Sequence, residues 1–373
     1  MALTQVQSGI LADSTQTYGM KNRIINGAMV IDQRNAGAAS ANTINGYFLD
    51  RWDVAQSVTG KIIAQQNAGS VTPPVGFTNY LGITSQSAYS LLSGDYYNVS
   101  QNIEGFNVAD LMWGTANAKT VTLSFWVRSS LTGTFGGDLK NSAANRSYPF
   151  TYTISSANTW EQKSITVAGD TSGTWLTTNG IGLRIQISLG AGSTYSGTAG
   201  AWASANYASA TGAVSVVGTN AATFYITGVQ LEVGSTATSF DYRPYGTELA
   251  LCQRYYWKNS GGVWTGINAA AGAVFSFPVF LPVSMRTAPT FSTNMTDANT
   301  SVSAQPNANQ WSLYSQNSGW PTYSGSINTL SATSGAGGQL DQVAVGTYSF
   351  TPASGTTAFY LGSNIYFQFS SEL

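Results

Sequence analysis

The side chains that could carry chemistry in this chain are its carboxylates, its aromatic rings and one thiol, since the 373 residues include no histidine. That absence excludes Ser-His-Asp and Cys-His catalysis, histidine-ligated zinc and every acid–base mechanism that needs an imidazole. Cys252 is the single cysteine, so the sequence predicts no internal disulfide and no cysteine-rich metal site. We therefore expect no cofactor and no metal held by histidine or cysteine, and the sequence assigns no metal-ligating residues.

A pair of carboxylates would suit hydrolysis of a glycosidic bond, which needs an acid together with a base or nucleophile. Asp50 and Asp53 are close in sequence, but on a strand an odd spacing of three sends their side chains to opposite faces. They are better explained as turn and ion-pair residues. Other acidic pairs would converge only through tertiary folding, so the sequence predicts no catalytic residues.

Charge is scarce. Charged side chains make up 8% of the chain, against roughly 25% in ordinary globular domains, and the net charge is −1. Without a basic run, nucleic-acid binding through phosphates is not expected. The most apolar stretch, Val274–Val283, is too short to span a bilayer and contains Pro278 and Pro282. Residues 1–10 lack the pattern of a signal peptide, so we expect neither secretion nor membrane insertion.

Strand patterns dominate the chain. In Val121–Arg128 the apolar residues alternate with Thr122, Ser124, Trp126 and Arg128, which predicts one buried and one outward face. Ile181–Leu189 alternates in the same way, with Arg184, Gln186 and Ser188 outward. In Thr223–Val233 the inward parity switches around Gly228, where we expect a β-bulge.

Further strands are predicted at Ile24–Ile31, Tyr47–Ala55, Gly60–Gln65, Tyr96–Ile103, Phe150–Ile154, Gln162–Val167, Val274–Val283, Val343–Phe350 and Ala358–Phe369. Short alternating strands separated by Gly, Asn and Ser turns indicate an all-β protein, an antiparallel sandwich.

One helix is predicted at Tyr245–Lys258, with Thr247 as its N-cap and one apolar face formed by Leu249, Cys252 and Tyr256. After it the chain becomes almost uncharged. We therefore predict an N-terminal arm (residues 1–21), a β-sandwich (22–245), a linking helix (246–260) and a smaller C-terminal β domain (261–373).

Six ordered segments carry a resemblance to a known group of proteins. They are Asn22–Asn35, Leu49–Trp52, Phe125–Arg128, Phe224–Gly234, Phe240–Tyr245 and Cys252–Tyr256. Across about residues 22 to 258 the chain resembles the tail-fibre and fibre-like structural proteins of tailed bacteriophages. The resemblance implies a jelly-roll sandwich similar to carbohydrate-binding modules, carried by a homotrimeric appendage on the virion. Such modules often hold a structural calcium ion, and that point stays open.

The resemblance also implies partners: two further copies of this chain, other virion proteins bound through the N-terminal arm, and a glycan of the host surface. The protein would be made in the host cytoplasm and reside in the virion. In a trimer, three copies of Leu249, Cys252 and Tyr256 could meet around an axis. The alternative is that the helix packs on its own sandwich, which is the usual place of a short amphipathic helix.

A glycan site needs flat aromatic faces beside amide or charged groups. Trp126 with Arg128 is the first candidate, and its alternative is coverage by a loop, by the arm or by a neighbouring subunit. The second is Gly190–Asn220, a long loop that carries Tyr195, Trp202 and Tyr207 and suits a subunit contact equally well. The third is Gln310–Ser324, whose candidate residues are Trp311, Trp320 and Tyr323; core packing is the alternative there.

Three functions remain. The first is a trimeric tail fibre or related appendage that recognises host-surface glycan without catalysis. The second is a decoration or connector subunit whose aromatic residues form protein contacts only. A polysaccharide depolymerase is the lesser third.

Overall fold

The computed structural model describes residues 20–259, 281–290, 292 and 366–373 with their side chains, and the backbone alone of 260, 264–269, 274–280, 291, 293, 311–315, 325–335, 339–350 and 355–361. These residues form two compact units: the described residues up to Glu248 together with Leu373 make up the first, and the described residues from Leu249 to Glu372 make up the second. The division falls inside the segment assigned above to a linking helix. The predicted domain bounds stay predictions, and most of the predicted arm lies outside the described residues.

Thirteen strands are described in the first unit. In chain order they are β1 (Gly46–Leu49), β2 (Trp52–Gln56), β3 (Ile62–Gln66), β4 (Leu81–Ser85), β5 (Tyr96–Glu104), β6 (Val121–Ser129), β7 (Gly133–Lys140), β8 (Ser147–Ile154), β9 (Glu161–Val167), β10 (Ile181–Ala191), β11 (Ser196–Gly197), β12 (Ser209–Ala210) and β13 (Thr223–Val233).

Two antiparallel sheets contain most of these strands. The first has the order β1-β2-β5-β10-β7-β8, and the second has the order β3-β4-β13-β6-β9. Apolar residues from both sheets form one continuous core, so the sheets pack face to face. The predicted all-β jelly-roll sandwich is confirmed.

The predicted alternation is confirmed in the two strands that carry it most clearly. In β6 the side chains of Val121, Leu123, Phe125 and Val127 have no exposed surface, while Trp126 is only half-buried. In β10 the apolar positions from Leu183 to Leu189 are buried in the core. The opposite faces of the two strands are therefore the surfaces on which a site can be built.

Gly228 is the bulge that the sequence predicts in β13. It has φ = 61°, and the pairing of β13 with β6 shifts between Thr227 and Gln230. Ile226 and Val229 are three residues apart, so in a regular strand their side chains would point to opposite faces. The bulge lets both of them face the core.

The prediction of a strand at Ile24–Ile31 is wrong. Asn26 and Met29 both have positive φ, which breaks the extended backbone. Asn26 instead serves as a buried hub: its side chain donates to the carbonyl oxygens of Ile31 and Asp50, and its own carbonyl accepts from the indole of Trp52. Hydrogen bonds of polar groups determine the conformation of this segment, and the spacing of its apolar residues does not reveal them.

One further strand prediction needs correction, two strands were missed, and one predicted loop contains strands. Tyr47–Ala55 is a hairpin of β1 and β2, turned at Arg51 with φ = 70°. Strand β4 was not predicted, nor was β7, whose three glycines weaken the strand pattern. The segment from Gly190 to Asn220 is not structureless, because β11 and β12 pair within it in parallel.

The helix, α1, spans Tyr245–Gln253 and is shorter than predicted. Thr247 is not its N-cap, because the backbone amides of Thr247 and Glu248 already donate to the carbonyl oxygen of Pro244. Tyr256 lies beyond the helix, so a single helical face through Leu249, Cys252 and Tyr256 does not form. Cys252 and Tyr256 are buried. No helix in the described ranges is long and apolar enough to cross a membrane.

The second unit consists of small antiparallel sheets. Its described strands are β14 (Tyr256–Ser260), β15 (Trp264–Ala269), β16 (Val274–Phe280), β17 (Thr290–Thr293), β18 (Trp311–Ser315), β19 (Gly325–Gly335), β20 (Gln339–Phe350), β21 (Gly355–Leu361) and β22 (Tyr366–Ser370). They pair in the orders β14-β22-β17, β15-β21-β18 and β16-β20-β19. In the first of these sheets Trp257 stacks on Phe369 across the strand pair, with ring centroids 5.6 Å apart. The predicted Ala358–Phe369 strand is in fact parts of two strands, β21 and β22.

Replacing Gly228 by alanine should destabilise the sandwich. A Cβ atom there would come within 2.6 Å of Phe77 Cζ, and the positive φ adds backbone strain. We expect the free energy of unfolding to fall by about 1–3 kcal/mol, measured by urea denaturation. Gly94→Ala is the control, because a Cβ atom there has no neighbour within 4 Å. Equal stability of the two variants would contradict this role for Gly228.

Candidate functional site

The outer face of the first sheet carries a polar groove. Its floor comes from the alternate residues of β2, β5, β10 and β7 that point away from the core. Strand pairing arranges these residues in two rows. The first row is Asp53, Ser100, Gln186 and Asp138; the second is Asn102, Arg184 and Lys140. Asp138, at the end of the first row, is fully buried and does not itself line the groove.

The walls of the groove are tyrosines and one long loop. Tyr96 and Tyr195 meet edge to face, with ring centroids 5.3 Å apart, and both line the groove. Tyr47 lines it as well, and Asn206 and Ala208 come from the segment between β11 and β12. The cavity has a volume of about 390 Å³. Aromatic surface and polar floor thus meet in one open cleft.

Two buried amides define the chemistry of the floor. Asn98 is 2% exposed and Gln186 is 6% exposed, yet both line the groove. Asn98 Oδ1 and Gln186 Oε1 have no hydrogen-bond donor among the described residues. A buried acceptor without a donor is costly, so these atoms favour a ligand that brings hydrogen-bond donors.

An ion pair lies at the β7 side. Lys140 Nζ is 3.4 Å from Asp138 Oδ2 and donates to Asn206 Oδ1 at 2.9 Å. Asp138 is fully buried, and burial raises its pKa to about 7 despite the nearby charges of Lys140 and Arg184. Burial also lowers the pKa of Lys140, against the attraction of Asp138. Burial therefore disfavours the charged forms of both Asp138 and Lys140.

Arg184 occupies the middle of the second row. Its Nε donates to Asn102 Oδ1 at 2.7 Å. Asn102 Nδ2 in turn donates to the Tyr47 hydroxyl at 3.1 Å and to the main-chain oxygen of Leu373 at 3.0 Å. Asn102 is 5% exposed, whereas Arg184 is half-buried. This network fixes the stem of the guanidinium at the groove surface.

A second hollow, which we call the aromatic hollow, lies away from the groove. Phe77, Phe240 and Tyr242 surround it, with ring centroids 4.8–5.5 Å apart. The Tyr242 hydroxyl donates to the carbonyl oxygen of Gly76, and the hollow has a volume of about 270 Å³. Tyr242 is 56% exposed and Tyr245 is 63% exposed. The aromatic hollow is therefore an apolar surface with polar groups at its margin.

Trp126 and Arg128 lie on the second sheet, outside the groove. A Cβ atom on Gly228 would come within 3.1 Å of Trp126 Cδ1, so the indole lies against this bulge. Arg128 donates from Nε to the carbonyl oxygen of Asn158, and its guanidinium carbon is 5.4 Å from the ring centre of Tyr225. Both side chains are thus engaged within the chain while remaining half-exposed.

The three aromatic residues of the Gly190–Asn220 segment have separate surroundings. Tyr195 lies in the groove. Trp202 belongs to a cluster with Trp113, Trp175 and Tyr148, and its indole donates to the carbonyl oxygen of Ala168. The Tyr207 ring packs against Gly197, where no larger residue fits. Only Tyr195 of these three lines the groove.

The C-terminal candidates lie outside what the structure describes. Trp311 belongs to β18, but its side chain is not among the described ones, and Trp320 and Tyr323 lie outside the described residues. Their predicted role in glycan binding stays a prediction.

Sequence reasoning placed Arg184 and Gln186 on an outward face but did not assign them a role. It did not predict that residues of β2, β5 and β7 join them in one groove, because the alternation of apolar and polar residues within a strand does not reveal which strands are neighbours in the sheet. In the described ranges, no group of three or more His, Cys, Asp or Glu residues is arranged to hold a metal ion. The groove can offer amide and hydroxyl hydrogen bonds, aromatic faces and one accessible guanidinium.

No family model matches this chain, and no curated protein matches it. Solved structures with some similarity include a sugar-binding protein, named as putative, from Bacteroides thetaiotaomicron. It is 8% identical over 57% of this chain and 100% of its own, with a TM-score of 0.34. A family 11 carbohydrate-binding module from Clostridium thermocellum, in complex with a β-1,3-1,4-mixed-linked tetrasaccharide, is 11% identical over 50% of this chain and 91% of its own, with a TM-score of 0.27.

A third similar structure is the enzymatically active domain of tailspike protein 4 from bacteriophage CBA120. It is 12% identical over 57% of this chain, with a TM-score of 0.30. The match spans 22% of that domain.

The raised pKa of Asp138 predicts how stability depends on pH. The folded protein keeps a proton on Asp138 that the unfolded chain releases above about pH 4. This contribution is complete below pH 4 and is lost as the pH rises through about 7. Relative to Asp138→Asn, the wild type should therefore lose about 1–4 kcal/mol between pH 4.5 and 8.

Urea-unfolding midpoints at several pH values measure this difference. Asp110→Asn, at the partly exposed ion pair with Arg23, is the control for loss of a carboxylate elsewhere. A constant difference between wild type and Asp138→Asn would show that the Asp138 carboxylate is ionised throughout.

Proposed function

We propose that this chain binds a glycan in the groove and does not cleave it. The observation that carries the proposal is a groove floor with two amides, Asn98 and Gln186, whose oxygen atoms lack a donor among the described residues, beside walls of half-buried tyrosine rings. Sugars present many hydroxyl donors around an apolar ring face. A saccharide therefore satisfies both the floor and the walls.

The shape of the groove supports this assignment. Its volume of about 390 Å³ falls within the range of small-molecule sites, and it is a cleft open to solvent rather than a closed cavity. An open cleft admits an internal segment of a longer chain as well as its end. The ligand class that fits is therefore an oligosaccharide or polysaccharide.

The positions of the two carboxylates in the rows support binding over hydrolysis. Asp53 and Asp138 belong to the same row, but β5 and β10 lie between their strands. Three interstrand gaps separate the two backbones by about 14 Å. Glycosidases place their two carboxyl groups about 5–9.5 Å apart.

We further propose that the protein is a component of a bacteriophage virion, a trimeric tail fibre or related appendage. The support is the sequence resemblance of the six ordered segments between residues 22 and 258. In this proposal the N-terminal arm contacts other virion proteins, and the groove recognises a glycan on the host surface. A chain made in the host cytoplasm and assembled without disulfides is compatible with this role.

A second candidate function is that of a connector or decoration subunit. The aromatic hollow favours it, because Tyr242 and Tyr245 expose most of their rings next to Phe77. Exposed aromatic groups of this kind are common at protein interfaces.

Glycan-array binding tests the proposed function. We expect the full chain to bind at least one glycan, and Asn98→Ala and Tyr195→Ala each to weaken binding about 10-fold or more, because each removes a contact of the groove. Trp126→Ala, on the other sheet, should leave binding unchanged. If Trp126→Ala abolishes binding while both groove variants retain it, the groove is not the site. Binding to no glycan would favour the connector.

The same incubation separates binding from cleavage. The wild type should release no soluble sugar from a polysaccharide that it binds. Release that is lost in Asp53→Asn would instead establish the depolymerase.

Light scattering of the purified chain tests the trimer. We expect a mass of about three times the 39.3 kDa of one chain. A monomer that is well folded by circular dichroism would contradict a self-standing fibre and would favour a subunit ordered by its neighbours.

A further inference from the structure

Of the two cationic side chains in the rows of the groove floor, Lys140 forms an ion pair with Asp138, and Arg184 forms none with any described residue. The rows contain two cations, Lys140 and Arg184, and two carboxylates, Asp53 and Asp138. Lys140 is enclosed, since its side chain is 4% exposed, faces Asp138 and donates to Asn206. Asp53 accepts from Ser100 Oγ at 3.3 Å, two strands away from Arg184. The cation that remains at the groove surface is Arg184.

Arg184 is positioned but only partly used. Its Nε is bonded to Asn102 Oδ1, while the two terminal nitrogens of its guanidinium make no hydrogen bond to any described residue. Asn102 is itself held by the Tyr47 hydroxyl and by the main-chain oxygen of Leu373. The stem is therefore fixed in place, and the terminal donors remain available to a ligand. Fixing a rotamer-rich side chain in advance lowers the entropy lost on binding.

We infer that the groove takes an acidic saccharide, one that carries a carboxylate, and that Arg184 binds this carboxylate. The inference rests on the proposed glycan-binding function. Arginine presents parallel N–H donors that match the two oxygens of a carboxylate, and such charge-assisted pairs are about twice as strong as neutral hydrogen bonds. A neutral sugar would offer the terminal nitrogens of Arg184 only uncharged hydroxyl oxygens, one at a time.

The spacing of the floor fits one sugar unit. Arg184 and Gln186 are two residues apart on β10, so their side chains rise about 7 Å apart on the same face. A carboxylate at Arg184 thus leaves the ring hydroxyls of the same or the next unit over Gln186 and Asn98. One ligand would then pair its carboxylate with the terminal donors of Arg184 and place its hydroxyl groups over the two amides whose oxygen atoms lack a donor.

The ionisation of Asp138 is consistent with an anionic ligand. Asp138 lies on the same side of β7 as Lys140, pairs across the strands with Gln186 and is one diagonal step from Arg184 on β10, and burial holds its pKa near 7. Below that pH it is largely protonated and does not repel a carboxylate bound to Arg184. The neighbouring strand β8 and the short strand β12 contribute no Asp, Glu, Lys or Arg to this part of the groove.

Paired ligands test the inference. Each acidic glycan that binds on the array is compared with its carboxyl-reduced form, in which the carboxylate becomes a primary alcohol, by calorimetry with the full chain. Polygalacturonate, alginate and hyaluronan, each with its reduced form, serve as fixed probes. We expect an acidic ligand to bind at least 10-fold more tightly than its reduced form, and the difference to shrink as salt is raised.

Variants locate the effect. Arg184→Gln retains a polar group beside Asn102 but removes the charge, so it should bind the acidic ligand only as well as wild type binds the reduced form. Arg184→Lys retains the charge without the paired donors and should fall between the two. Arg128→Gln is the matched control, because Arg128 is a half-exposed strand arginine on the other sheet, likewise bonded through Nε. It should leave the preference unchanged.

The outcomes separate this inference from the function on which it rests. If glycans bind but the acidic and reduced forms bind equally, or Arg184→Gln leaves the preference intact, the inference is wrong and glycan binding stands. If neither the array nor the fixed probes show binding, the proposed function fails and the inference fails with it.

Discussion

The pleat of the first sheet is the constraint on which both the core and the groove depend. In β5 and β10, each residue that fills the core is followed by one that faces the groove, so Ile185 is buried between Arg184 and Gln186. A register slip of one residue would bring charged and amide groups into the core and turn apolar side chains outward. The apolar packing of the sandwich therefore holds the groove residues in register across four strands.

Polar groups of the groove floor are buried at a cost that the fold must offset. Asn98, Gln186 and Asp138 are all nearly inaccessible, and atoms of each lack a hydrogen-bond partner among the described residues. Such groups destabilise a folded protein by about 1–3 kcal/mol each. A continuous apolar core drawn from two large sheets supplies stability on a larger scale. The sandwich can thus support a binding surface that is itself unfavourable in the free protein.

Local sequence patterns predicted the parts of the structure that depend on residues close in sequence. They failed where the backbone conformation or a contact depends on residues distant in sequence. The buried face of β6, the alternation of β10 and the bulge at Gly228 follow from sequence spacing alone. The turn at Asn26 does not, because it depends on bonds to Trp52 and Asp50. The sequence predicted Tyr195 as an aromatic residue of a loop. Its ring contacts Tyr96, and it shares the groove with Asn98, but both residues belong to β5, which is distant in sequence, so no local pattern could predict that they lie together.

The composition of the groove suggests how discrimination among ligands would arise. Amides act as donors and acceptors at once, so a floor that contains Asn98 and Gln186 can match the hydroxyl pattern of a sugar in detail. A ligand that lacks one hydroxyl would leave a buried acceptor unpaired, and loss of that bond costs more than an apolar mismatch of similar size. These contacts are insensitive to salt because they carry no net charge. In a chain with only 8% charged residues, a single accessible guanidinium then adds a charge-dependent contribution without dominating the interaction.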